Sequence, residues 1–219
     1  MSEIASLNVD TYMVGPLQNN TYLIWDPDTR SAVLVDPGME SREVADHIRE
    51  KNLRLKAILN THGHFDHIYE NAFFKKTFGC PLRIHEGDLD FLRRMDEHAL
   101  GLGFQAQASP EPDSFLREGE RIDVGSGWLE VLHTPGHSQG SVCFTGPGFV
   151  LSGDTIFAQS IGRTDLPGGD LETLLQSIRE RILTLPEDTR VYPGHGPASE
   201  VGYERRHNPY LGDTFQAML

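Results

Sequence analysis

The segment LKAILNTHGHFDHIYEN, residues 55–71, constrains the fold of this chain more than any other stretch. Its apolar first part predicts a short buried strand. His62, His64, Asp66 and His67 follow that strand within six positions. Crowding such polar groups is costly unless something positive lies among them. Imidazole and carboxylate are the usual ligands of zinc, iron and manganese, so the segment predicts a metal site at a strand end.

Three further loops at predicted strand ends carry residues of the same kind. They are TPGHSQGS at 134–141, LSGDTIF at 151–157 and VYPGHGP at 191–197. Their candidate ligands are His137, Asp154 and His195. Each of these alone has an ordinary interpretation as a turn or capping residue. Together with the first cluster they supply five histidines and two aspartates, enough for two metal ions if one carboxylate bridges them.

The spacing within the first cluster divides it between two points. His62 and His64 are two apart, and in an extended segment such side chains point the same way. Asp66 keeps this parity, whereas His67 breaks it at the expected start of a helix over about 67–78 and faces a second point. Phe65, between them, is expected to point away into packing. One cluster therefore predicts ligands for two adjacent metals.

Composition excludes some classes of function. The 219 residues carry a formal net charge of −13, which argues against nucleic acid or an anionic membrane as partner. No apolar run approaches the length of a bilayer-spanning helix. The first residues, MSEIASLNVD, show no basic leader before an apolar core, and Cys80 and Cys143 stand alone. We therefore expect a cytoplasmic protein.

The order of predicted elements indicates two sheets with helices outside them. Strands are predicted at EIASLNV, NTYLIWD, SAVLVD, LKAILN, PLRIH, GWLEVLH, GSVCFT, GFVLSG and TRVYP. Helices are predicted near 42–51 with Ser41 as cap, near 67–78, near 86–94, and near 171–184 with Asp170 as cap. Residues 96–118 have little periodicity and are interpreted as an excursion over the surface.

The motifs THGHFDH, PGHSQGS, SGDTIF and YPGHGP, in this order, resemble those of the metallo-β-lactamase-fold hydrolases. Within that superfamily the chain is similar to the compact glyoxalase II-like (hydroxyacylglutathione hydrolase-like) proteins, over nearly its whole length. The resemblance implies an α/β fold, a four-layer αββα sandwich with the metal site at one edge of the two sheets. It also implies that residues 1–219 form a single domain.

The same resemblance implies a ligand set for two divalent ions, zinc first, with iron or manganese as alternatives. One metal is held by His62, His64 and His137. The other is held by Asp66, His67 and His195, and Asp154 bridges the two ions.

The resemblance also implies an activity, thioester hydrolysis of S-D-lactoylglutathione, in which Asp66 acts as a catalytic residue that orients the attacking water and accepts its proton. Larger glyoxalase II enzymes add a C-terminal helical domain that binds glutathione, and we expect none here. Candidate substrate contacts are Arg163, Asp165 and Arg205, with Arg206 beside it.

Two alternative functions remain open at this point. The glutathione persulfide dioxygenases share the motif set but use a single iron. A lactonase of the same fold is less favoured. The exported β-lactamases typically replace the aspartate–histidine pair that this chain keeps at Asp66 and His67. The expected partner is a small glutathione thioester, and the sequence leaves the oligomeric state open.

Overall fold

The computed structural model describes residues 6–212. Within this range two six-stranded sheets form the centre of the molecule. The strands of the first sheet are β1 Asn8–Val14, β2 Asn19–Trp25, β3 Ser31–Val35, β4 Arg54–Leu59, β5 Leu82–His85 and β6 Ser114–Leu116. Those of the second are β7 Arg121–Val124, β8 Gly127–His133, β9 Val142–Gly146, β10 Phe149–Gly153, β13 Arg190–Pro193 and β14 Ser199–Glu200. A small hairpin pairs β11 Ile156–Phe157 with β12 Ser160–Ile161.

The first sheet has its strands in sequence order and changes from antiparallel to parallel at β3. β1, β2 and β3 pair antiparallel, whereas β3, β4, β5 and β6 pair parallel. Every residue of β2 and β3 is buried, because both faces of these strands are covered. The parallel strands β3 and β4 end side by side, which brings Asp36 next to the loop that carries the first histidines.

The second sheet has the order β14-β13-β10-β9-β8-β7. Its one parallel pair, β10 with β13, places the loop after β10 beside the loop after β13. Asp154 follows the first of these strands and His195 follows the second. The sheets therefore deliver the candidate ligands to a common edge, as expected for loops held at strand ends.

The helices cover the outer faces of the two sheets. They are α1 Val44–Glu50, α2 Phe65–Ile68, α3 Asn71–Phe78, α4 Leu89–Arg93, α5 Met95–Gly101, α6 Leu171–Ser177 and α7 Val201–His207. Three buried apolar clusters separate the layers: one under α1 to α5, one between the sheets, and one under α6 and α7. This is the four-layer αββα sandwich, and the prediction of the fold is confirmed.

Several local predictions need correction. Residues 96–118 are not a bare surface excursion, because they contain most of α5 and also β6. Met95 and Ala99, four apart, bury one face of that helix against the first cluster. Sequence reasoning missed this helix because its other residues are polar or exposed. It also missed α7 and the short strands β7, β11, β12 and β14.

Helix ends differ from prediction in three places. The helix expected over 67–78 is two helices, α2 and α3, interrupted near Tyr69 and Glu70. Ser41 makes no capping hydrogen bond, and a short 3-10 turn precedes α1. Asp170 does cap α6, accepting from Thr173 N at 2.8 Å, but that helix passes into a π turn over Ile178–Ile182.

The first predicted strand is shifted along the chain. It was expected at residues 3–9, whereas β1 begins at Asn8, and residues 3–5 lie outside the described range. Among residues 6–212, no helix has the length and apolar character needed to cross a bilayer.

Candidate metal centre

Three histidines from two loops form the first ligand group. His62 and His64 follow β4, and His137 follows β8. Their candidate ligand atoms lie within 4.8 Å of one another, and His137 Nε2 is 2.8 Å from His64 Nδ1. The fully buried His62 Nε2 has no hydrogen-bond partner. Since buried imidazole nitrogens are normally satisfied, this orphaned atom fits a metal bond.

An aspartate and two histidines form the second group. Asp66 and His67 belong to α2, and His195 follows β13. His195 Nε2 lies 3.2 Å from Asp66 Oδ2 and 3.3 Å from His67 Nε2. The short helix α2 places His67 between the groups: its ring centroid lies 4.1 Å from that of His62 and 5.2 Å from that of His195. The two predicted sets of ligands are therefore brought together as two neighbouring groups.

Asp154 lies between the two groups. Its Oδ1 is 3.3 Å from His67 Nε2, and its Oδ2 is 3.6 Å from His137 Nε2 and 3.7 Å from His195 Nε2. The Oδ1 atom is buried and makes no hydrogen bond. Gly194 allows this close packing, because a Cβ there would lie 2.2 Å from Asp154 Oδ1. One carboxylate thus faces both groups, as a bridging ligand must.

The outer ring nitrogens of three histidines are occupied. His67 Nδ1 lies 3.0 Å from Asp36 Oδ2, His137 Nδ1 lies 2.7 Å from the Arg163 carbonyl, and His195 Nδ1 lies 3.0 Å from the Leu17 carbonyl. Because carboxylate and carbonyl oxygens only accept, each Nδ1 carries the proton. The Nε2 lone pairs are then directed into the centre, which is the usual arrangement of histidine metal ligands. The residues present fit two divalent ions.

Asp36 is a residue that the sequence analysis did not single out. Besides His67 it accepts from Thr61 N at 2.7 Å and from Thr61 Oγ1 at 2.6 Å. Its backbone adopts a left-handed φ of 49°, a conformation that aspartate tolerates better than most residues. The signal available in the sequence was its place before Pro37-Gly38 at a strand end, matching the other ligand loops.

The charges in the centre favour a cation. Burial and the neighbouring imidazoles hold the pKa of His62 well below its usual value, and burial lowers that of His64 to about 3. Burial would also lower the pKa of His67, but the carboxylates of Asp154 and Asp66 outweigh it and raise that pKa well above normal. The first pair is thus held in the neutral, metal-binding form, while the carboxylates attract positive charge to the second group.

Asp88 joins the two loops of the first group. This fully buried carboxylate accepts from Gly63 N at 2.8 Å, Ser138 Oγ at 2.7 Å and Gly140 N at 2.6 Å. A Cβ on Gly140 would lie 2.5 Å from Asp88 N, so only glycine permits the approach. Burial raises the pKa of Asp88 although these donors oppose the effect. Nothing in the sequence distinguished Asp88 from a helix-capping residue.

A cleft of about 850 Å3 opens onto the centre, a size typical of small-molecule sites. Ligand residues on its floor include His64, Asp66, His137, Asp154 and His195. Asp66 is 13% exposed here, so its carboxylate can meet a bound molecule. Phe65, predicted to point into packing, is buried against Phe104 but also contributes to the cleft wall.

The predicted substrate contacts are separated by the fold. Arg163 lines the cleft and holds Asp165 through two bonds of 2.8 Å. Arg205 lies on α7 instead, where it bonds Glu187 at 3.0 Å and the carbonyls of Leu183 and Leu185. Arg206 also bonds Glu187, at 3.0 Å. The structure brings Arg163 to the cleft but not Arg205, whose guanidinium is bound to Glu187 and to the turn after α6.

Comparison with known proteins gives a consistent result. The profile of the Metallo-beta-lactamase superfamily matches residues 14–195. The hydroxyacylglutathione hydrolase GloC of Haemophilus influenzae is 37% identical over 209 residues, covering 94% of this chain and 98% of GloC.

Two solved structures have the same fold at similar identity. The BLEG-1 B3 metallo-beta-lactamase superposes with a TM-score of 0.86 at 37% identity, covering 93% of this chain and 99% of that one. The protein TTHA1623, solved in a di-iron-bound form, superposes with a TM-score of 0.85 at 40% identity, covering 93% of this chain and 100% of that one. With its fold, its grouped histidines and aspartates, and these relatives, the chain belongs to the metallo-β-lactamase superfamily of metal-dependent hydrolases.

Proposed function

We propose that the protein hydrolyses thioesters of the S-D-lactoylglutathione type, with two divalent ions, zinc first, held by the seven residues of the two groups. The observation that carries the proposal is the meeting of both groups at Asp154 on the floor of an open cleft. The similarity to GloC, which is named a hydroxyacylglutathione hydrolase, supports this choice of substrate.

The residues define the roles in the reaction. Bound divalent ions would supply activation of water and polarisation of the thioester carbonyl. Asp66 lines the cleft with its Oδ2 beside His195, which supports a role for it in orienting the water and accepting its proton. The water oxygen bonds to the carbonyl carbon, the C–S bond breaks, and the sulfur leaves as thiolate. That thiolate takes up the proton, giving a hydroxy acid and a thiol.

The chemistry of the leaving group matches the side chains of the site. A thiolate is stable enough to leave without a strong general acid, and the centre consists of metal-ligand side chains. Arg163 at the cleft wall is the proposed contact for a substrate carboxylate, with Asp165 holding its guanidinium in place. Arg163 also fixes His137 through its backbone carbonyl.

Persulfide oxidation is the second candidate. The family of glutathione persulfide dioxygenases uses one iron, and the first histidine group with Asp154 alone is a sufficient ligand set for one ion. Because both families share the motif set, the presence of Asp66 and His67 does not separate the candidates, and the similarity to GloC over 94% of this chain is what favours hydrolysis.

Metal content and activity decide between the candidates. The protein is loaded with zinc or iron and analysed for metal per chain. It is then assayed for hydrolysis of S-D-lactoylglutathione, oxygen uptake with glutathione persulfide, and hydrolysis of a β-lactam and a lactone. We expect up to two ions per chain and release of glutathione from the thioester. One iron per chain with oxygen uptake would establish the second candidate instead.

A pair of variants tests the site itself. The Asp154→Asn protein should bind less metal and lose thioester hydrolysis as well, because the carboxylate of Asp154 faces both ligand groups. Asp165→Asn carries the same chemical change on an exposed side chain and should keep its metal. Equal metal content in the two variants would contradict the assignment of Asp154 as the bridge.

A further inference from the structure

The wall of the cleft above the metal centre is mainly apolar. Apolar side chains contributing to it are Leu17, Phe65, Phe91, Leu102, Phe157 and Leu166. Two of them are large and strongly exposed: Leu17 is 42% and Leu102 is 66% accessible. Exposed apolar surface gathered around a concave site usually marks a place where an apolar ligand group binds.

Two aromatic rings flank the centre. Phe91 meets the ring of His64 edge-on, with centroids 5.1 Å apart and planes at 79°. Phe157 meets the ring of His195 in the same way, at 6.2 Å and 77°. Each ring therefore lies beside a different ligand group. The substituents of a molecule whose carbonyl lies between the groups would contact one ring or the other.

Positive charge is scarce in the same cleft. Among the described residues that line it, Arg163 is the one side chain with a permanent positive charge, and Asp165 accepts from Nε and Nη2 along one edge of its guanidinium. Glu97 on the wall is paired with Arg94 at 2.9 Å and adds no positive charge, and His98 packs against Phe91. Glutathione brings two carboxylates, for which this wall offers little compensation.

We propose that the preferred substrates are thioesters whose thiol part is apolar and uncharged, with Leu17, Phe91, Leu102 and Phe157 as specificity-determining residues. This inference rests on the proposed thioester hydrolysis and refines its substrate class. S-D-lactoylglutathione is then accepted with a high KM, because its acyl group and thioester fit the centre while its charged tripeptide does not match the wall.

The test uses one acyl group on different thiols. Lactoyl thioesters of ethanethiol, butanethiol and hexanethiol are compared with S-D-lactoylglutathione, and thiol release is followed on zinc-loaded protein. The lactoyl thioester of 3-sulfanylpropanoic acid is the charged counterpart of the butanethiol ester. We expect KM to fall about two- to fourfold per methylene along the series, since each buried methylene adds a constant gain. The charged counterpart should have a KM at least about tenfold above that of the butanethiol ester.

A matched pair of variants locates the effect. Leu102→Gln places a neutral polar group in the cleft wall, whereas Leu100→Gln makes the same change at a 68% exposed position outside the cleft. Leu102→Gln should raise KM for the hexanethiol ester about tenfold, leave its kcat unchanged, and leave the ethanethiol ester almost unaffected. Leu100→Gln should behave as the unaltered protein. Calorimetry with the corresponding non-hydrolysable hexyl thioether should show the same contrast.

The outcomes separate the inference from the proposed function. Hydrolysis of all the thioesters with a KM independent of chain length, or lowest for S-D-lactoylglutathione, would overturn the inference and leave thioester hydrolysis standing. Equal effects of the two leucine variants would overturn it as well. Absence of hydrolysis of every thioester by protein carrying two ions would reject both proposals.

Discussion

Replacing Asp88 with asparagine tests how the fold holds the first ligand group. The carboxylate of Asp88 is fully buried and accepts three hydrogen bonds, two of them from the backbone N–H groups of Gly63 and Gly140. Gly63 lies between two histidines of the group, and Ser138, the third donor, follows the remaining one. Asp88→Asn keeps the shape of the side chain but replaces one acceptor oxygen with an amide donor.

The expected loss of stability follows from these contacts. Ser138 can turn its hydroxyl to Ser141 Oγ, 2.7 Å away, so its bond is replaceable. The backbone N–H groups of Gly63 and Gly140 cannot turn, and each one left unpaired costs about 1–3 kcal/mol. Because asparagine keeps one acceptor oxygen, one of these two N–H groups loses its partner, and we expect Asp88→Asn to destabilise the metal-free protein by about 1–3 kcal/mol. For a chain of this size that lowers Tm by about 2–12 °C.

The expected effect on metal is selective. Because Asp88 ties together the loops of His62, His64 and His137, its loss should weaken the ion bound there by about ten- to a hundredfold, as for other residues that orient metal ligands. The ion at Asp66 and His195 should be held nearly as before. If Asp88 had a merely structural role, Asp88→Asn would lower Tm but would change the affinities for the two ions by the same factor.

Thermal unfolding of the metal-free protein and stepwise cobalt titration, followed by visible absorption, measure both effects. Asp90→Asn is the matched control, since that side chain is 80% exposed on α4, two residues after Asp88, and its ion-pair partner among residues 6–212 is the distant Arg94, at 3.7 Å. An Asp88→Asn protein whose Tm and two cobalt affinities equal those of the control would refute the reasoning.

Three further predictions follow from the same structure. Asp66→Ala should weaken the binding of one ion and, at saturating metal, still lower kcat for thioester hydrolysis by about a hundredfold. Asp154→Ala should weaken the binding of both ions together. Full recovery of kcat in the Asp66 variant on adding metal would mean that Asp66 only holds an ion. Arg163→Gln should raise KM for S-D-lactoylglutathione with little change in kcat, and steady-state kinetics showing the reverse would exclude a pure binding contact. Burial would raise the pKa of Asp26, but hydrogen bonds from Ser126, Thr29 and Asp28 N outweigh it and lower that pKa. The ionised carboxylate of Asp26 therefore stabilises the fold above about pH 4, the usual carboxyl value. This stabilisation is lost as pH falls further. Asp26→Asn should accordingly be less stable than the unaltered protein in urea unfolding at pH 7, with a difference that shrinks below about pH 4, and a constant difference would contradict this account.

Local pattern was sufficient for the architecture and for the set of candidate ligands. The four loops were recognisable because histidine and aspartate are rare directly after apolar strands, and because their motifs resemble those of one superfamily. Local geometry predicted that the first cluster divides at a helix start at His67, whereas the helix begins two residues earlier, at Phe65. Strand parity grouped Asp66 with His62 and His64, whereas the resemblance assigned it to the second metal, and the helical turn of α2 places it beside His195.

The tertiary structure alone decided which groups support the candidate ligands and which line the cleft. Asp36 and His67 are 31 residues apart, Leu17 and His195 are 178 apart, and Asp88 and Ser138 are 50 apart. No local pattern encodes such contacts, because they arise only when two sheets and their loops pack together. The same reason applies to Arg205, whose cationic side chain suggested a substrate contact until the packing of α7 directed it to Glu187. It applies equally to Leu102, an unremarkable residue in the sequence that the fold places on the wall of the cleft.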